Sequence, residues 1–95
     1  MPSVTVTVRN PSGLHARPAA TFVRAAAGLP VEIRVTNLSR DPDRSAAAKS
    51  ILGVMQLGVG QGHELRLEAD GEGAETALQE LRALIEAGLG EPLGA

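Results

Sequence analysis

Cysteine, tryptophan and tyrosine are all absent from the 95-residue chain, and Phe22 is its one aromatic side chain. Without thiols there is no disulfide framework, no thiolate metal site and no cysteine nucleophile. With one aromatic, neither a base-stacking sheet for RNA nor an aromatic ligand cage can be assembled. Histidine occurs only as His15 and His63, too few for a histidine-rich metal site. A surplus of one charge is lacking as well: nine basic residues stand against eleven acidic ones, for a formal net charge of -2. Bulk binding to nucleic acid or to an anionic membrane needs a basic surplus, so both weigh little as partners. No apolar run approaches the roughly 20 residues of a membrane span, so no membrane insertion is expected. The N-terminus MPSVTVTVRN alternates from the start and holds no signal-peptide core. The expectation is a small cytoplasmic protein whose chemistry depends on very few reactive side chains.

What is present is ordinary for one globular domain: 43% hydrophobic and 21% charged residues. Val4, Val6 and Val8 alternate with Thr5, Thr7 and Arg9, the period of a half-buried strand over residues 3–9. The turn residues of Asn10-Pro11-Ser12-Gly13 end it. Ala19, Phe22, Val23 and Ala26 then recur at helical spacing, predicting a helix over roughly 16–27 that closes at Gly28. Val31, Ile33 and Val35 mark a second strand over 31–36, followed by a polar loop from Asn37 to Arg44. The stretch SAAA at 45–48 reads as a short edge strand, although alanine favours helix. A short helix over 50–57, a strand over 63–69 and a clear amphipathic helix over 72–87 complete the chain. Residues 1–88 are thus expected to form the domain and 89–95 a loose tail. The order is β-α-β-β-α-β-α, without repeat or linker. Strands with one apolar face need a cover on that face only, which predicts a two-layer α/β (α+β) sandwich.

The run Gly13-Leu14-His15-Ala16-Arg17-Pro18 carries the chemistry. Proline lacks an N–H, and only first-turn N–H groups of a helix go unpaired. Pro18 therefore fits a helix whose N-cap lies no earlier than His15. There the free N–H groups and the macrodipole favour an anion, and Arg17 adds a guanidinium suited to phosphate. Imidazole is a competent nucleophile near neutral pH. Such a histidine could take a phosphoryl group without metal or cofactor. The bland alternative makes His15 a plain helix-start residue and Arg17 a solvated charge.

GLHARPAA resembles the active-site motif of HPr, the histidine phosphocarrier of the phosphoenolpyruvate-dependent sugar phosphotransferase system. KSILGVMQLGVGQG at residues 49–62 resembles the family's regulatory-serine helix and following turn, and the likeness runs from about Val4 to Gly88. The resemblance implies a four-stranded antiparallel sheet of order 1-4-2-3 with three helices on one face. It implies a carrier rather than an enzyme, phosphorylated on a ring nitrogen of His15 (Nδ1), with Arg17 as its electrostatic partner. It implies enzyme I as donor and enzyme II A components as acceptors. Ser50 matches a serine phosphorylated in some bacteria by HPr kinase/phosphorylase, a step that can engage a transcription regulator. Ala16, Ala20, Ile51, Leu52 and Met55 match the docking surface. Two departures stand out: the stretch from His15 to Ser50 is longer than is common, with the surplus in 37–44, and the third strand is poor in β-branched residues.

Read by themselves, the residues of the second motif make Ser50 an N-cap. Val54 and Leu57 are expected to face the core, while Leu52 and Met55 lie on a second apolar face that so short a helix cannot fully bury. His63 reads as a surface histidine, Asp41 and Asp43 as turn residues without a metal-ligand set, and glycines 58, 60 and 62 lack nucleotide-loop spacing. The rival readings are a paralogue serving a nitrogen-related or dihydroxyacetone kinase phosphorelay, a regulatory binding protein acting through phosphorylated Ser50, and a ferredoxin-like small-ligand module.

Overall fold

Alternating side chains build the sheet. In β1 (Ser3–Thr7), β2 (Ile33–Asn37) and β4 (Glu64–Ala69), the residues Val6, Ile33, Val35, Leu65, Leu67 and Ala69 are buried. Ser3, Thr5, Thr7, Arg34 and Glu64 between them are exposed to water. The computed structural model describes residues 2–91. The strands pair antiparallel in the order β1-β4-β2-β3, with β3 (Ser45–Ala47) at the edge. The helices α1 (Ala16–Ala27), α2 (Ile51–Gln56) and α3 (Ala74–Glu86) cover the apolar face, the two-layer arrangement that alternation required.

Between the layers lies one core. Phe22 and Ala26 from α1, Val54 from α2, and Leu78, Leu81 and Ile85 from α3 meet the valines and leucines of the strands. At roughly 25 cal/mol per Å² of apolar surface removed from water, each of these side chains larger than alanine stabilises the fold by about 1.5–3 kcal/mol. The short third strand holds because Ala46 and Ala47 lie opposite Val35 and Arg34, and Arg34 Nη1 donates to Ser45 Oγ at 3.0 Å. Methyl side chains suffice at an edge that packs on one side only.

The elements lie where the patterns placed them, with boundaries moved by a residue or two. The first strand ends at Thr7 because Val8 turns to the connection after α2, donating to His63 O at 2.9 Å and accepting from Gly62 N at 2.8 Å. The last helix starts at Ala74, since Gly73 before it has a left-handed φ of 84°.

The C-terminal segment departs from expectation. Residues 89–95 read as a loose tail, but Leu89 is buried and Glu91 is bonded to the opposite end of the chain. The cause is the way α3 stops. Gly88 donates to Ile85 O at 3.0 Å and Leu89 to Leu84 O at 3.1 Å, the paired bonds of a Schellman motif. Gly88 supplies the positive φ of 96° that this ending needs, and Leu89 closes it against the core. Residues 92–95 of the expected tail lie outside the described residues.

Candidate functional site

The turn after β1 is built by Asn10 and Gly13. Gly13 N donates to Asn10 O at 3.2 Å, and the Asn10 side-chain amide returns a bond to Gly13 O at 2.9 Å. Gly13 has φ +58°, and a Cβ there would run into the carbonyl oxygen of Val59 and the Cα of Gly60. Only glycine fits, by torsion and by space. Leu14 next door is fully buried and donates its N–H to Val59 O at 3.1 Å. The turn that follows α2 therefore supports the turn that precedes α1, and the two sequence motifs meet at that bond.

Between buried Leu14 and buried Pro18, the chain brings His15, Ala16 and Arg17 to the surface. His15 is the N-cap of α1, with extended backbone (φ -124°, ψ 154°) and no capping bond from its side chain. Its imidazole has no hydrogen-bond partner among the described residues. Pro18 takes the third helical position, where its missing N–H leaves no intrahelical bond unmade. Ala16 has a left-handed φ of 50°, a conformation that costs an L-residue about 1–2 kcal/mol. Nothing in an alanine announces that torsion beforehand. An anion on the imidazole would stand at the positive end of a twelve-residue helix with the exposed Arg17 guanidinium two residues on.

Helix α2 contributes the second part. Ser50 is its N-cap, and its hydroxyl accepts from Gly53 N at 3.2 Å while remaining exposed. Val54 and Leu57 are buried. Ile51, Leu52 and Met55 are exposed by 43%, 67% and 40%, the large apolar side chains given to water among the described residues. Helix α1 packs directly on α2. Ala16 and Arg17 are exposed and Ala20 is half-buried on α1.

The remaining candidates have structural roles. His63 is half-buried, and its Nδ1 accepts from Gly60 N at 3.0 Å with Asn37 Nδ2 at 3.1 Å. A backbone N–H can only donate, so Nδ1 is an acceptor and the neutral ring carries its proton on Nε2. This histidine ties β2 to the turn before β4, a fuller role than the surface position read from the sequence. Asp41 Oδ1 accepts from Asp43 N at 3.1 Å, an Asx turn within the polar loop. Among the described residues no cluster of three or more metal-ligating side chains exists.

One residue of the site was invisible in the sequence. Glu91 Oε1 accepts from Asn10 Nδ2 at 2.9 Å and from Ser12 N at 3.0 Å, and Oε2 accepts from Ser12 Oγ at 2.8 Å. The Asn10 side-chain bond first, then the two from Ser12, hold the Glu91 carboxyl below its ordinary range against a small opposing effect of burial. A Gly-Leu pair after a helix is the one local signal that the chain would fold back at that point.

Comparison with known proteins bears on this arrangement. A family profile described as PTS HPr component phosphorylation site matches residues 2–87. The chain is 42% identical over 85 residues to the phosphocarrier protein HPr of Pseudomonas aeruginosa, covering 90% of this chain and 91% of that protein. It is 43% identical over 91 residues to the multiphosphoryl transfer protein of Haemophilus influenzae, covering 96% of this chain and 18% of that one. The chain thus spans about a fifth of the length of the multiphosphoryl transfer proteins it matches. The crystal structure of HPr-C-His from Thermoanaerobacter tengcongensis superposes with a TM-score of 0.88 at 43% identity, covering 98% of this chain and all of that one.

Proposed function

The chain belongs to the HPr family, and we propose that it is a cytoplasmic phosphocarrier that holds a phosphoryl group on His15. Enzyme I, charged ultimately by phosphoenolpyruvate, is the donor, and enzyme II A components are the acceptors. The observation that supports this most directly is His15 itself: the N-cap residue of α1, with an exposed imidazole that has no hydrogen-bond partner among the described residues, near Arg17 in the chain. In the transfer, the lone pair of a ring nitrogen forms the N–P bond as the bond to the donor breaks, and the donor atom keeps that electron pair. The added negative charge meets the helix end and the guanidinium, so no metal need balance it. The reverse displacement hands the group on. An exposed nucleophile needs no pocket, and donor and acceptor can use one surface in turn.

The apolar side chains of Ile51, Leu52 and Met55 extend that surface. Exposed apolar groups of this size mark contact sites, and we assign them, with Ala16 and Ala20, to docking. Ser50 is the regulatory site of the same reading: its exposed hydroxyl at the start of α2 is open to a kinase. Incubation with enzyme I and phosphoenolpyruvate, followed by mapping of acid-labile phosphate, tests the assignment. Label on His15 supports it; label elsewhere, or none, removes it.

A further inference from the structure

The C-terminal segment reaches the phosphoacceptor turn from the far end of the sequence, and three hydrogen bonds from Asn10 and Ser12 converge on one carboxylate. Asn10 is fully buried. Its Nδ2 donates both to Gly13 O and to Glu91 Oε1, while its Oδ1 has no partner among the described residues. The amide cannot be turned around, because the swapped oxygen would then face two acceptors. Both donor bonds of this buried amide thus serve to join Glu91 to the turn. The chain of contacts continues without a gap: Gly13 N returns to Asn10 O, and Leu14 N is fixed on Val59 O. His15 is the next residue.

We propose that Glu91 is a positioning residue for phosphoryl transfer, a C-terminal clamp that fixes the Asn10–Gly13 turn and so sets the place and direction of the His15 imidazole. The inference rests on the phosphocarrier reading of His15. The Schellman ending and buried Leu89 already secure the chain to residue 89. Gly90 then carries the backbone with φ +87°, and Glu91 N donates to Gly88 O at 2.9 Å, which brings its side chain to the turn. Glu91 acts through Asn10 and Ser12 and does not itself touch the phosphoryl group.

The test uses the full chain and its Glu91→Ala, Glu91→Gln and Ser12→Ala variants. Enzyme I with labelled phosphoenolpyruvate serves as donor, and each variant's thermal midpoint is measured so that rates are taken well below it. Misplacing a reacting group by a fraction of an ångström slows transfer, so Glu91→Ala should lower kcat about tenfold and leave the KM of enzyme I for the carrier within about twofold. Glutamine keeps an acceptor oxygen at the same reach and should restore most of that loss. An unchanged kcat in Glu91→Ala, or a loss carried wholly by KM, overturns the proposal; the second result would make Glu91 a docking contact. If the unmodified chain takes no label, the phosphocarrier reading itself has failed. The clamp is still tested by NMR without any donor: Glu91→Ala should move the His15 amide and ring resonances, and unmoved resonances refute it.

Discussion

Replacing Leu52 and Met55 together by alanine separates docking from folding. Fully burying a leucine or methionine side chain stabilises a fold by about 1.5–3 kcal/mol. Leu52 is 67% exposed and Met55 40% exposed, so the buried third of one and three-fifths of the other are all that can be lost. Scaled in that way, the pair contributes about 1.5–3 kcal/mol. Alanine returns a few tenths of a kcal/mol through its higher helix propensity. Leu81, 1% exposed in the core, is the control: its replacement by alanine should cost about 2–5 kcal/mol alone, because a cavity is left behind. Urea denaturation midpoints should therefore show the double variant no less stable than Leu81→Ala, although it removes more atoms. Titration against enzyme I should show the opposite order, with affinity lost in the double variant, chiefly through faster dissociation, and kept in the folded fraction of Leu81→Ala. A double variant destabilised beyond Leu81→Ala that still binds enzyme I normally would falsify the assignment of these side chains to a partner.

His15→Ala should abolish acid-labile phosphorylation and leave the urea midpoint nearly unmoved, since the exposed side chain makes no capping bond; undiminished labelling would refute it. Arg17→Ala should keep some acceptance and slow the transfer, read as a lower initial rate with enzyme I. Ser50→Asp should change stability by no more than roughly 0.3–1 kcal/mol, because a carboxylate both caps and suits a helix start, yet weaken acceptance from enzyme I beside the apolar face. Gly13→Ala should lower the denaturation midpoint markedly, through the left-handed φ and the overlap with the Val59 carbonyl. The Glu91 carboxyl is held below its ordinary range, so its bonds support the fold fully above the value of a free carboxyl. They are lost as pH falls through the lowered one. The midpoints of the wild type and Glu91→Ala should differ at neutral pH and converge in acid.

The strands β1 and β4 were readable because valines and leucines alternate with threonines and charges there, and period two leaves one answer for which face is covered. His15 as N-cap was readable because Pro18 forbids an earlier helix start. Both are local signals. The Glu91 contacts were not readable, because they join residues 79 and 81 positions apart and hydrogen-bond partners at that distance leave no pattern in either segment. Leu89 reads as tail because glycine, glutamate, proline and alanine surround it from 88 to 95 with no apolar period, and burial is decided by what packs on it. The left-handed torsion of Ala16 was hidden for another reason: alanine has no preference for it, so the surrounding turn imposes it. His63 gave no sign of its bonds to Asn37 and Gly60, which depend on two strands already being in place.

The two ends of the described chain leave the fold at different places. Pro2 O accepts from Ala69 N at 3.2 Å, at the end of β1 away from the turn that leads to His15. Glu91 lies on that turn. A fusion partner or affinity tag attached after residue 95 is joined through residues 92–95 to Glu91, and Glu91 is bonded to the turn that leads to His15. The same addition before Pro2 begins a strand's length away. For labelling, immobilisation or single-molecule tethering, the N-terminal side is the handle at the end of β1 away from the turn that leads to His15, the proposed phosphoacceptor.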